Sequence, residues 1–555
     1  CLTDPTQPPG PTNPRIRGGV NTFPRSCVVR YRHNFFTDSN VVNTYTGLFF
    51  QDDWRLRNTL TLNFGLPWER ETVIEDDNNF GPRVGLAWSP FKNGKGVVRF
   101  GAGIFYNRVL LRTVDDYRRG LNEIIFDTNR VTSTGGARDV YLAALSNQFP
   151  QTLTPDSPLI QQYIAAGLNN NSFFRSLDEN IKIPESYQFN FGFEREIGKG
   201  FVAEANFTLN KTIRLWREIN TNAPIIPQGF SDLADYLARG ITTGNIRFEF
   251  AGLTAPDSRT DAGVTYYNLN SQNRSTSSST PYGRALVIAD SLRPFPQFGQ
   301  TEQVGSMGAS WYRGLILEVR RRYRQLGMGF GGSLRAAYTL SYLDDDGIVN
   351  TSSAQTPGDF GAEWSRSLLD RRHRFALSGT FDTPWWFGKL RFSPILRVGS
   401  SAPFNISNGG QTADDRNLDD VNSDRPDFSG NIRDIVWRDV NDPVPLNVAQ
   451  QFSLAPIGRG GNLPRNAGTG PAQFIFDINV SREWRFGERM RLRPQIEFNN
   501  VLNAAVFSFG SEFINFEAVS ANPTPAQLEE LRTGFLVPTR AYRPRQIRVG
   551  IRFDF

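Results

Sequence analysis

The sequence predicts an all-β chain, the wall of a transmembrane antiparallel β-barrel, and three observations predict it. Long stretches alternate apolar residues with polar or small ones at period two. The connections between those stretches alternate short and long. No run approaches the roughly 18–20 consecutive apolar residues that a membrane-crossing helix needs. A barrel strand shows lipid only every second residue, so the mean hydropathy of −0.40 is compatible with spanning.

The alternation begins after an irregular segment. Residues 1–40 are expected to be irregular, and 1–26 are rich in Pro, Gly, Thr and Arg without a period. Residues 41–555 are read as barrel. Leu60, Leu62, Phe64, Leu66 and Trp68 alternate with Thr61, Asn63, Gly65 and Glu69. Tyr187, Phe189, Phe191 and Phe193 oppose Gln188, Asn190 and Glu194. The same rule marks thirteen strands, at 41–54, 58–70, 81–91, 96–107, 182–196, 201–213, 311–324, 328–343, 371–384, 388–401, 472–485, 489–503 and 544–555. A further short strand near Cys27–Arg32 would make fourteen.

Short turns fall at 92–95, 197–200, 325–327, 385–388 and 486–488. Long connections fall at 108–181, 214–310, 344–370, 402–471 and 504–543. Outer-membrane barrels pair short periplasmic turns with long extracellular loops, and a soluble sandwich has no reason to keep that asymmetry. Aromatic residues make up 13% of the chain, led by 44 Phe, which suits interfacial girdles. Trp385, Trp386 and Phe387 at a short turn are read as one such anchor, with a sugar-stacking platform as the alternative. Residues 271–280 are polar and of low complexity.

The chain carries a net charge of +6, and only six of its 61 basic residues are Lys. The Arg residues interleave with Asp and Glu along strands, which predicts a polar lumen cross-linked by ion pairs and no nucleic-acid partner. Cys1 and Cys27 exclude a disulfide framework, a multi-cysteine zinc site and an iron–sulfur cluster; a single bridge or two free thiols remain. Cys1 is not preceded by a signal peptide, and the chain is read as lacking its beginning.

The final ten residues place Ile547, Val549, Ile551, Phe553 and Phe555 on one face and Gln546, Arg548, Gly550, Arg552 and Asp554 on the other. Arg548, Gly550, Phe553 and a terminal Phe555 resemble the signal by which outer-membrane barrels are recognised and inserted by the barrel-assembly machinery. Further segments carry a family resemblance: YTGLFFQDDWR at 45–55, LTLNFG at 60–65, GPRVGLAWSPF at 81–91 and GAGIFY at 101–106. RPFPQFG at 293–299, DRRHRF at 370–375, the acidic segment 414–427 and PRQI at 544–547 continue it. Together they resemble the TonB-dependent outer-membrane receptors of the Oar-like type. The resemblance implies a barrel of about 22 strands with a plugged lumen. It also implies a TonB-contacting segment and a plug ahead of this chain, so the chain reads as the C-terminal part of the barrel. The function so implied is passage of a large nutrient or other cargo, by import or export, across the outer membrane of a Gram-negative-type bacterium. The extracellular substrate is not legible, because no motif names it.

Chemistry has few footholds. His33 and His373 are the only histidines. His373, with Ser367 or Ser378 nearby, raises an outer-membrane hydrolase as an alternative, but no nucleophile-elbow pattern surrounds either serine. A hydrogen-bonded histidine lining the mouth is the plainer reading, and the chain is expected not to be an enzyme. A passive porin or adhesin is the other alternative. In the acidic segment, Asp415, Asn417 and Asp419 have the i, i+2, i+4 spacing that opens a Ca²⁺ loop, and Asn422 and Asp424 add oxygens. Against that, Asp420 stands where such loops carry Gly, no Glu holds the twelfth position, and Arg416 and Arg425 offer internal neutralisation. Asp344, Asp345 and Asp346 are adjacent and cannot all face one ion. For the wall, the alternation puts Phe189, Phe191, Leu492, Ile496, Val549 and Phe553 toward outer-membrane lipid. It puts Glu194, Glu204, Arg491, Arg493, Glu497 and Arg548 toward the lumen.

Overall fold

The computed structural model describes residues 40–91, 94–118, 174–240, 300–408, 415–421, 424–439, 444–509, 524–538 and 544–555, with short isolated pieces elsewhere. Thirteen strands form one antiparallel meander. They are β1 (Tyr45–Arg57), β2 (Leu60–Glu71), β3 (Arg83–Trp88) and β4 (Gly96–Tyr106). Next come β5 (Glu185–Gly198), β6 (Phe201–Asn220), β7 (Thr301–Gly327) and β8 (Phe330–Asp345). Then follow β9 (His373–Asp382), β10 (Leu390–Gly399), β11 (Gln473–Arg482), β12 (Met490–Asn499) and β13 (Gln546–Asp554). Each pairs with its sequence neighbour from β1 to β13. All thirteen expected strands are present.

The fourteenth is not in the wall. A strand does form at Arg30–Asn34, but it pairs with Glu123–Asp127 away from the large sheet. Cys1 and Cys27 lie outside the described residues. Thirteen is odd, so β1 and β13 run the same way and cannot close on each other as an antiparallel pair. Among the described residues no ladder joins them, and the sheet is open with these two strands as its edges. Apolar side chains on both outer strands are exposed, Phe49 at 81% and Val549 at 76%.

Pairing register settles the faces, since residues directly opposite share one. Leu492 pairs with Phe553 and Ile496 with Val549, whereas Arg491 pairs with Asp554 and Glu497 with Arg548. Phe191 pairs with Phe207, and Phe100 and Phe207 each pack against Phe189, with centroids 5.3 and 6.3 Å away. Glu194, Glu204 and Glu318 form a row on the opposite face. The expected apolar and polar faces are therefore correct at every named position. The apolar face meets lipid, because an arginine held at mid-bilayer costs roughly 2–4 kcal/mol while one facing water can pair.

Two strands are longer than the alternation foretells. β7 starts at Thr301, ten residues before the expected start, through Thr-Glu-Gln-Val-Gly-Ser-Met-Gly-Ala-Ser. That stretch has no clean period. It is extended because it packs above the membrane, with Val304 wholly buried among Val73, Ile74, Val114, Tyr117 and Trp216. The molecule's packed apolar cores lie in the long loops. The largest joins Phe404, Ile406, Phe428, Ile435, Phe452, Leu463, Ile514, Leu531 and Phe535, all from the connections after β10 and β12. Helices stand in these loops too, α1 at Leu111–Arg118 and α2 at Pro525–Gly534. The second begins with a reciprocal capping box between Thr524 and Gln527 and Pro at its first turn, a signal readable in the sequence.

Candidate functional site in the extracellular loops

The loops after β6, β8 and β10 are joined by buried ion pairs. Arg217, at the top of β6, is 2% exposed and donates through Nε to Asp346 at 2.8 Å, while its two terminal nitrogens donate to the carbonyls of Gly347 and Trp216. A side chain on Gly308 would lie 2.6 Å from that guanidinium, so the position requires glycine. Arg425 donates to both oxygens of Glu363, each at 2.8 Å, and both side chains are buried. The three adjacent acids diverge as expected: Asp344 meets Arg313, Asp345 meets Arg465 and Asp346 meets Arg217. Gln355 bridges the layers, accepting from Arg425 N with its side-chain oxygen and donating to the Gly461 carbonyl.

The acidic segment sits against this framework. Asp415, Asp419 and Asp424 are buried, at 6%, 2% and 1% exposure. Asp415 accepts from the N–H groups of Asp419 and Asp420, and Asn417 Oδ1 also accepts from Asp419 N. Asp419 Oδ1 accepts from Val421 N, and Asp424 Oδ2 from the N–H groups of Arg416 and Asn417. Asn422 lies outside the described residues. Of the arginines expected to neutralise the segment, Arg416 donates to the Ala455 carbonyl and Arg425 pairs with Glu363, its charge still acting on Asp424. Arg293, from the loop after β6, also reaches the segment. It pairs with Asp420 at 2.9 Å and donates to the Leu418 carbonyl. No local pattern announces that contact across more than a hundred residues. Burial, then repulsion from Asp415, holds the Asp419 carboxyl well above its ordinary range, and burial pushes Asp424 up to about 7.

The other singled-out residues separate cleanly. His373 Nδ1 and the Tyr338 hydroxyl are 2.7 Å apart. His373 pairs with Leu340, and Leu340 with Leu315, so it lies on the apolar face and does not line the mouth. Ser378, an odd number of residues along the same strand, faces the other way, and Ser367 Oγ accepts from Leu369 N. Neither serine is joined to the histidine. Trp385, Trp386 and Phe387 form an exposed 3₁₀ turn between β9 and β10, with Trp386 packed edge-on against Phe330. On β13, Arg548, Gly550 and Phe553 pair with Glu497, Gln495 and Leu492, and Phe555 beyond them is 93% exposed.

An antiparallel wall with one apolar and one polar face, short turns at one end and a packed loop layer at the other, defines a transmembrane β-barrel protein. The outer membrane beta barrel domain family matches residues 70–534, and the chain belongs to that family. Its place is the outer membrane. A stretch of 116 residues is 30% identical to the TonB-dependent transporter Oar of Myxococcus xanthus, covering 20% of this chain and 11% of that protein. Among solved structures it is similar to the outer membrane transporter YddB from Escherichia coli, at 10% identity and a TM-score of 0.46, over 92% of this chain and 45% of that one. It is also similar to the ferripyoverdine receptor of Pseudomonas aeruginosa, at 9% identity and a TM-score of 0.39, over 92% and 39%. The chain spans less than half the length of each of these relatives.

Proposed function

We propose that this chain is part of the wall and the extracellular loop layer of a TonB-dependent transporter that carries a large nutrient or other cargo across the outer membrane. The observation that carries the reading is the open, odd-numbered wall. Thirteen strands with two parallel edges need an odd number of further strands to close antiparallel, and every backbone group in hydrocarbon needs a partner. Closure with nine more gives the roughly 22-stranded class, whose lumen is wide enough to hold a plug. The 116-residue likeness to Oar supports the same class. In this reading the loop layer captures cargo, TonB acts through a segment outside this chain, and the chain itself does no covalent chemistry.

The test uses the full-length protein purified from outer membranes. In planar bilayers a plugged transporter gives no sustained open conductance, and it co-purifies with the periplasmic domain of TonB. A large, steady conductance with no TonB binding would replace this reading with a passive porin. Esterase activity abolished by His373→Ala would replace it with a hydrolase.

A further inference from the structure

Two arginines stand on the apolar face of the wall. Arg195 on β5 pairs with Ala203, and Arg321 on β7 pairs with Phe201, so both belong to the lipid-facing rows. Each lies over an aromatic ring, Arg195 over Phe91 at 4.4 Å and Arg321 over Phe201 at 4.9 Å. Among the described residues neither meets a carboxylate, and Arg321 Nε is enclosed without an acceptor. On the polar face, by contrast, Arg99, Arg320 and Arg335 each pair with a glutamate. Arg195 stands just before the short turn at 197–200, and Arg321 lies opposite the first residue of β6. Both therefore sit at the periplasmic end of the apolar face, near headgroup depth, where a guanidinium is tolerated.

A groove of about 470 Å³ opens in the same face, and Arg195 lines it. Register explains the hollow. Phe193, Ala205, Leu317, Tyr338 and Phe375 are successive partners across five strands, so an alanine stands among large side chains. Glu204 and Glu318 contribute only strand backbone to the floor, because their side chains are held on the polar face by Arg320. The groove is thus apolar along its length and positive at its periplasmic end. We propose that it holds one anionic phospholipid of the periplasmic leaflet, with an acyl chain against Ala203 and Ala205 and the phosphate between Arg195 and Arg321. The two arginines flank β6, on the order of 10 Å apart in backbone, so two long side chains can meet one headgroup. Guanidinium matches phosphate oxygens bidentately. Two charges without a carboxylate favour a headgroup of net negative charge over a zwitterionic one. Arg482 on β11 supplies the comparison. It pairs with Leu390 on the same apolar face and lies over Trp484 at 5.0 Å, yet it does not line the groove.

The experiment is native mass spectrometry of the full-length protein, delipidated in detergent and then given dioleoyl phosphatidylglycerol or dioleoyl phosphatidylethanolamine. The expected result is one phosphatidylglycerol retained per protein, with phosphatidylethanolamine held about tenfold more weakly. The double variant Arg195→Gln, Arg321→Gln should lower phosphatidylglycerol retention at least about tenfold and abolish the preference. Ala203→Phe fills the groove with both guanidiniums in place and should lower retention of both lipids. Arg482→Gln should bind as the parent does. All these side chains face lipid, and heat-modifiable migration shows that each variant is an assembled barrel. Equal retention of the two lipids by the parent overturns the proposal whatever the variants do. So does parent-like retention in the double variant or in Ala203→Phe. Loss in Arg482→Gln as large as in the double variant also overturns it, because the basic rim would then act as diffuse charge and not as a site.

Discussion

Arg320 on β7 reaches across the whole width of β6 to place a guanidinium nitrogen 2.9 Å from Glu194 on β5. The same side chain meets Glu204 at 3.1 Å and Glu318 at 3.8 Å. Glu194, Glu204 and Glu318 lie directly opposite one another on neighbouring strands, a row of like charges that would repel if left alone. Arg99 and Arg335 close the two ends, at 3.0 Å from Glu194 and 2.8 Å from Glu318. One charged row therefore ties β4 through β8 together on the polar face.

Arg320→Met should expose that repulsion. With Arg320 itself 42% exposed, screening limits the loss to roughly 1–2 kcal/mol in denaturant unfolding of the detergent-refolded protein. Glu204→Gln added to Arg320→Met should recover part of it. A double variant less stable than the single would show that the row does not act as one unit.

Arg425→Ala leaves buried Glu363 with only the more distant Arg465, at 3.9 Å, and should cost up to about 3 kcal/mol in the loop layer. The wall does not share that core, so limited proteolysis should cut the loops early while heat-modifiable migration persists. Loss of both together would mean that wall and loops form a single cooperative unit.

Leu492→Arg and Arg491→Leu test the register with neighbouring residues. The first puts a charge in lipid and should cost up to roughly 2–4 kcal/mol, depending on depth; the second faces the lumen and should be tolerated. Reversed effects would place the apolar face on the lumen side.

Phe555→Asp should lower the amount of folded protein reaching the outer membrane without changing synthesis. Phe555 packs only loosely, 6.0 Å from Phe553 in ring centroid, so its value lies in recognition and not in stability. Normal levels of protease-resistant, heat-modifiable barrel from this variant would remove the assembly role.

The sequence by itself determined the wall. Period-two alternation forces a strand to present one apolar face, and a single-residue slip would bury charge in lipid, so strand number, order and facing at Phe189, Glu194, Leu492 and Arg548 were all legible. What only the tertiary structure decided is everything that joins distant loops. The upper half of β7 is a strand because Val304 has a core to enter, not because Thr301–Ser310 alternates. Arg425 meets Glu363, Arg293 meets Asp420 and Arg217 meets Asp346 across 62 to 129 residues. Arginine and carboxylate side chains carry no local code for which partner they meet. Burial chooses among the pairings, since an ion pair sealed from water is tolerated only where the surrounding loops already bring both ends together.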